Sequence, residues 1–267
     1  MTTKPTQLLA VVAALTAAFF LSFASIANAD PSPTPQARSA KPTVVLVHGA
    51  WADATGWQHV IPLLEAQGFP VVAVQNTLTS LTDDVATTKR ALAKITGPIV
   101  LVGHSYGGFV ITEAGAGNPQ VKALVYVAAF VPDLGETAGG LSAQFPSPLG
   151  DAIVPDTAGF LFIDTAKFRD VFAADVPAGT ARVMAIAQKQ VNALAFGQSV
   201  QQVGWKTIPA WDLVALDDQA INPDLQRFMT ERAGTHTLAI HSSHVAFVSH
   251  PGIVAGLIAT AARETVR

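Results

Sequence analysis

The sequence predicts an α/β domain, a mostly parallel sheet covered by helices on both faces, and three observations lead there. From Pro42 onward, short runs rich in β-branched residues alternate with longer stretches of helical period, the order that successive βαβ units produce. Several runs, such as Val44-Val45-Leu46-Val47 and Ile99-Val100-Leu101-Val102, are apolar throughout, as strands buried on both faces must be. The chain has 267 residues, 50% of them hydrophobic, which suffices for one sizeable core and predicts a single domain.

In chain order, strands are expected at 43–47, 71–75, 99–103, 123–128, 210–216 and 237–241. Helices are expected at 56–66, 81–94, 107–116, 223–232 and 251–263. Between Pro132 and Lys206 the alternation stops, and no clear strand stands out. A structureless loop of that length does not suit a compact domain. With helical patterns at 165–174 and 180–196, the segment at about 133–206 reads as a mostly helical cap, inserted after the strand ending near Ala128.

The first residues follow another logic. Lys4 precedes an uncharged run from Leu8 to Phe23, and Ala27-Asn28-Ala29 follows. Positive start, apolar stretch and small-x-small end mark a secretory signal peptide at 1–29. The alternative is a membrane anchor, since the run approaches spanning length. The Ala-Asn-Ala site favours cleavage, which would leave no stable membrane span, and the Pro- and Ser-rich stretch 30–41 reads as a flexible leader before the domain at 42–267. The expected location is secreted or periplasmic. The chain has no cysteine, so it forms no disulfide, no cysteine metal site and no thiol nucleophile. Sixteen Lys and Arg against 19 Asp and Glu give a net charge of −3 with no basic stripe, which argues against nucleic acid as a partner.

The strongest local signal is Gly103-His104-Ser105-Tyr106-Gly107. It matches the G-x-S-x-G nucleophile elbow and lies between an expected strand and an expected helix, as that turn requires. Ser105 would stand clear of the sheet at the positive end of the following helix. A serine hydroxyl needs a histidine to take its proton and a carboxylate to orient that histidine. In this fold the acid and then the histidine follow the serine. His48, His59 and His104 precede or adjoin the serine. His236 and His241 fall at the ends of the last strand, and His250 precedes Pro251 at a helix start. His244, in the loop between that strand and the final helix, is the expected base. For the acid, Asp217 and Asp218 both follow the strand 210–216; Asp212 lies within it and reads as structural, and Asp133 is a rival after an earlier strand. The oxyanion donors would be the backbone N–H groups of Ala50, in His48-Gly49-Ala50-Trp51, and of Tyr106.

Together these segments resemble the α/β-hydrolase group that includes plant methylesterases, hydroxynitrile lyases and related bacterial esterases. His48-Gly49-Ala50-Trp51 through Gly56-Trp57 is similar to the group's first loop, and Gly103 to Gly108 to its elbow. Asp218-Gln219-Ala220-Ile221 and Ser243-His244-Val245 through Pro251 are similar to its acid and histidine loops. The resemblance puts the acid on Asp218 rather than Asp217 and makes Asp133 a hinge residue where the cap begins. Hydroxynitrile lyases of the group carry a lysine after the histidine and a threonine near the oxyanion loop, where this chain has Val245 and Ala50; haloalkane dehalogenases would need an aspartate in place of Ser105.

The expected activity is therefore that of a serine carboxylesterase, acting on small to medium apolar esters through an acyl-enzyme intermediate. Its partner would be a small-molecule ester, with no metal and no organic cofactor. The other classes open are a hydroxynitrile lyase or other non-hydrolytic enzyme on the same triad, and a ligand-binding protein that has lost turnover. Cap phenylalanines Phe160, Phe162, Phe168, Phe172 and Phe196 would form cap core or line an apolar pocket.

Overall fold

The computed structural model describes residues 41–265; the expected signal peptide at 1–29 and all but the last residue of the leader at 30–41 lie outside them. No helix of the described residues is long and apolar enough to cross a membrane. The main sheet is built from β1 (Thr43–Val47), β2 (Val71–Val74), β3 (Ile99–His104), β4 (Val121–Val127), β8 (Ala210–Ala215) and β9 (His236–Ile240). These lie parallel in the order β2-β1-β3-β4-β8-β9. The expected strand bounds differ from these by at most two residues. Every residue of β3 and β8 is buried, which explains why those strands carry no polar alternation.

Around the sheet lie α1 (Ile61–Ala66), α2 (Leu81–Leu92), α3 (Gly107–Gly115), α8 (Pro223–Ala233), the short α9 (Ala246–Ser249) and α10 (Pro251–Thr265). Right-handed crossovers decide their sides. The step from β1 to β2 runs one way across the sheet, whereas the steps β2 to β3, β3 to β4 and β8 to β9 run the other way. This puts α1 on one face and α2, α3 and α8 on the opposite one; α10 joins α1, against which it packs. The reversal falls between β1 and β3. A crevice outside the carboxyl ends of those strands is where a ligand site belongs.

The segment between β4 and β8 holds α4 (Ala138–Gln144), β5 (Ile153–Pro155), β6 (Phe160–Ile163), α5 (Phe168–Phe172), α6 (Ala178–Ala187), β7 (Val191–Asn192) and α7 (Leu194–Gly197). The insert is mostly helical, as expected, but it also holds strands that the sequence reading did not expect. β5, β6 and β7 form a three-stranded antiparallel sheet, and the helix expected at 180–196 ends at Ala187. The cause is tertiary. Gln188 accepts from the Ile163 N–H and donates to its carbonyl at 2.8 Å each, so its amide extends the edge of β6 and turns the chain into β7. The segment's ends are tied together by the Asp133–Lys206 ion pair at 2.5 Å, and its start is tied to α8 by Glu136–Arg232 at 2.5 Å. A second correction concerns the helix expected at 56–66. It is a 3-10 turn at Ala54–His59 followed by α1. Pro62 has no N–H and its ring would meet the carbonyl of Gln58, so no α-helix runs through that point.

Candidate active site

The chain leaves β3 at His104 and enters α3 at Gly107, so a single turn must reverse it. Ser105 sits in that turn with φ 55°, a left-handed conformation that costs a non-glycine residue about 1–2 kcal/mol. The turn closes because the chain is bare where it crosses itself: a Cβ on Gly103 would lie 2.6 Å from the Gly107 carbonyl oxygen. The Ser105 N–H donates to Val127 O, and its carbonyl accepts from Gly108 and Phe130. Neighbouring strands and helix together hold the strained turn. Trp51 and Ala128 also have positive φ, at 55° and 44°, so β1, β3 and β4 all end in sharp turns around one point.

His244 and Asp218 meet Ser105 there. The serine hydroxyl donates to His244 Nε2 at 2.8 Å, and His244 Nδ1–H donates to Asp218 Oδ2 at 2.7 Å. All three are buried. Asp218 is held on both oxygens. Oδ1 accepts from the N–H groups of Ala220 at 2.7 Å and Ile221 at 3.0 Å, and Oδ2 also accepts from Gln226 Nε2 at 2.8 Å. Four donors fix the direction of the carboxylate. The histidine is thereby fixed as the tautomer whose free Nε2 faces the serine, an arrangement able to draw the proton from Oγ.

His104, whose ring centroid is 4.6 Å from that of His244, donates from Nε2 to the His244 carbonyl at 3.0 Å. Burial, and after it the proximity of His244, holds His104 well below its ordinary pKa. It stays neutral and braces the loop without adding charge.

The loop after β1 carries the other expected donor. His48 donates from Nδ1 to Gly49 O at 2.9 Å and accepts at Nε2 from the Asn76 N–H at 3.0 Å. Burial lowers its pKa to about 4, so this neutral ring staples β1 to the end of β2. Among the described residues, the N–H groups of Ala50 and Tyr106 donate to no backbone or side-chain acceptor, and both remain available to a ligand oxygen. Tyr106 is anchored by its own hydroxyl, which donates to the buried carboxylate of Asp84 in α2 at 3.1 Å.

The remaining candidates lie elsewhere. His241 and Asp217 face each other at 3.2 Å on the surface, 81% and 59% exposed. His250 lies beside Ser249, and Asp133 is engaged with Lys206. Asp212 is buried in β8 with neither carboxylate oxygen partnered, and burial pushes its pKa far up; it is held neutral inside the sheet. Sequence reasoning missed four supporting residues: Gln226, Asp84, His104 and Asp175. Asp175, between α5 and α6, accepts from the Ser243 N–H at 3.1 Å and from the hydroxyls of Ser242 and Ser243. The signal for Asp175 is absent from the local sequence, because its partners are nearly seventy residues away.

A pocket of about 500 Å³ opens on Ser105. Trp51 and Phe196 form one wall, α4 another, and Ala220 and Ile221 of the acid loop a third. Its lining has no Lys, Arg or His, and Asp151 is its one charged residue. Of the phenylalanines named above, Phe196 lines this pocket, while Phe168 and Phe172 are buried and packed on each other at 5.0 Å between centroids.

The chain is similar to several known hydrolases. Methylesterase 2 of Arabidopsis thaliana is 27% identical over 215 residues, 69% of this chain and 81% of that protein. A pyrethroid hydrolase of Sphingobium wenxiniae is 29% identical over 242 residues, 81% of this chain and 86% of the relative. The crystal structure of a pyrethroid hydrolase superposes with a TM-score of 0.72 at 25% identity, covering 82% of this chain and 96% of that one. The model of the alpha/beta hydrolase family matches residues 44–257, most of the chain and all but one residue of the main sheet. The chain belongs to the α/β-hydrolase family.

Proposed function

We propose that the protein is a serine carboxylesterase that hydrolyses uncharged esters through an acyl-enzyme. The reading is carried by the unbroken run of hydrogen bonds from Ser105 Oγ through His244 to Asp218. Ser105 attacks the ester carbonyl while His244 takes its proton. The carbonyl oxygen becomes an anion between the N–H groups of Ala50 and Tyr106. His244 then protonates the departing alkoxide, and water repeats the sequence on the acyl-serine. Asp218 keeps the tautomer correct and stabilises the charged imidazole. The absence of cationic side chains in the pocket lining favours uncharged esters over anionic ones. The names of the relatives, methylesterase and pyrethroid hydrolase, support ester chemistry. A lyase reading gains no support, since Val245 and Ala50 stand where that chemistry would place a lysine and a threonine.

A fluorophosphonate should label Ser105 and no other serine. Ser105→Ala should lower nitrophenyl ester hydrolysis by about 10⁴-fold or more; a variant within tenfold of the parent would overturn the mechanism. We also read the protein as exported, on Lys4, the apolar run and Ala27-Asn28-Ala29. N-terminal sequencing of the exported protein should then begin at Asp30.

A further inference from the structure

We propose that Trp51 is the specificity-determining residue of this site, the wall that ends the substrate pocket and limits the length of ester accepted. The inference rests on the esterase reading above. Sharing Trp51 with the pocket on Ser105 is a second one of about 190 Å³, bounded by Phe172, Met184 of α6 and Phe247 of α9. Among the described residues, Trp51 is the one residue that lines both, and Ser105 lines only the first. The indole therefore stands between the reacting hydroxyl and an additional chamber more than a third the size of the one in use.

Three independent restraints fix the indole. Its Nε1–H donates to the Leu161 carbonyl of β6 at 3.0 Å. Its ring packs edge-on against Phe172 at 6.3 Å and tilted against Phe196 at 5.5 Å between centroids. Its backbone is held at φ 55°, where a bulky residue persists only if its surroundings over-determine it. Trp51 also follows directly on Ala50, so the wall and one expected oxyanion donor share a single loop. An ester arm that pushes on the indole disturbs that donor, and over-long substrates lose rate as well as binding.

The test is a series of nitrophenyl esters from acetate to hexadecanoate, comparing Trp51→Ala, Trp51→Phe and the double variant Trp51→Ala/Met184→Phe with the parent. The readout is the ratio of kcat/KM for long and short esters, in which any general damage to the loop cancels. Trp51→Ala should raise that ratio about tenfold or more, the scale on which apolar pockets distinguish chain length. Trp51→Phe should stay near the parent, and refilling the second chamber with Met184→Phe should reverse the gain. A uniform loss across the series in Trp51→Ala, with Ser105 still labelled by fluorophosphonate, overturns the wall and leaves the esterase reading standing. Absence of labelling in the parent overturns both. A crystal structure of the parent with a long-chain phosphonate on Ser105 tests the wall without any variant. The chain should stay in the larger pocket, and passage past the indole into the smaller one overturns the proposal.

Discussion

Replacing Asp218 with asparagine changes one atom, and the surrounding donors dictate how that atom must lie. Oδ1 receives two backbone N–H groups, from Ala220 and Ile221, so the amide oxygen of the variant has to occupy that place. The NH₂ group is then forced to the position of Oδ2, where it faces His244 Nδ1 and Gln226 Nε2. His244 can accept from it only by giving up the proton on Nδ1, which moves the proton to Nε2 and removes the base from Ser105. Gln226 cannot turn to help. Its oxygen accepts from Ala215 N–H and its nitrogen also donates to Ile221 O. We expect Asp218→Asn to lower kcat by about 10⁴-fold, as a wrong-tautomer histidine does elsewhere, or about 5.5 kcal/mol of barrier. The opposed donors should also lower stability by about 1–3 kcal/mol. Ester hydrolysis at pH 7 to 9 and urea unfolding measure the two effects. A variant retaining a tenth of the parent's activity would refute the argument and point to Asp217 as the acid.

Three further perturbations test the supporting structure. Gly108→Ala is expected to destabilise by 3 kcal/mol or more in urea melts, although helix propensity alone predicts a gain of about 1 kcal/mol, because the new Cβ would lie 1.9 Å from the Phe130 carbonyl oxygen; an unchanged midpoint would refute the contact. Asp175→Ala frees the N–H of Ser243 beside His244 and should lower kcat and the rate of Ser105 labelling together, about tenfold, with little change in KM; a loss of kcat with an unchanged labelling rate would contradict it. Acid should weaken the fold through His48. The unfolded chain takes up its proton near pH 6.5, and burial delays that uptake in the native state to about 4. Stability is therefore complete above 6.5 and lost as the pH falls through that window, by about 3 kcal/mol, with His104 acting in the same direction. His48→Gln should flatten the acid slope of the unfolding free energy, and an identical slope would remove His48 from the account.

The central strands β1 and β3 were legible because apolar residues dominate them, and no competing pattern fits 44–47 or 99–102. Ser105 was legible because the strained turn leaves a mark in glycines. His244 and Asp218 were readable by their order along the chain, and the choice of Asp218 over Asp217 needed the resemblance to a family. In the structure that choice follows from direction: Asp218 turns inward onto four donors, while Asp217 faces solvent. The small sheet at β5–β7 was not legible, since its strands have three, four and two residues, too short for alternation to be seen. The end of α6 was hidden for another reason. Nothing near Gln188 stops a helix; what stops it is Ile163, twenty-five residues back.

Two of the loops around Ser105 are braced from the inserted segment as well as from the sheet. β6 takes the indole N–H of the loop after β1, and the turn bearing Asp175 takes the serines of the loop that carries His244. The insert is thus no cassette that could be exchanged among relatives to graft one specificity onto another. A chimaera carrying a foreign segment at 133–206 would fold its sheet and still misplace both loops, unless the donor brought a carbonyl for Trp51 and a carboxylate for Ser243. Divergence of substrate range in such a chain has to proceed side chain by side chain within the segment, with those two anchors held constant.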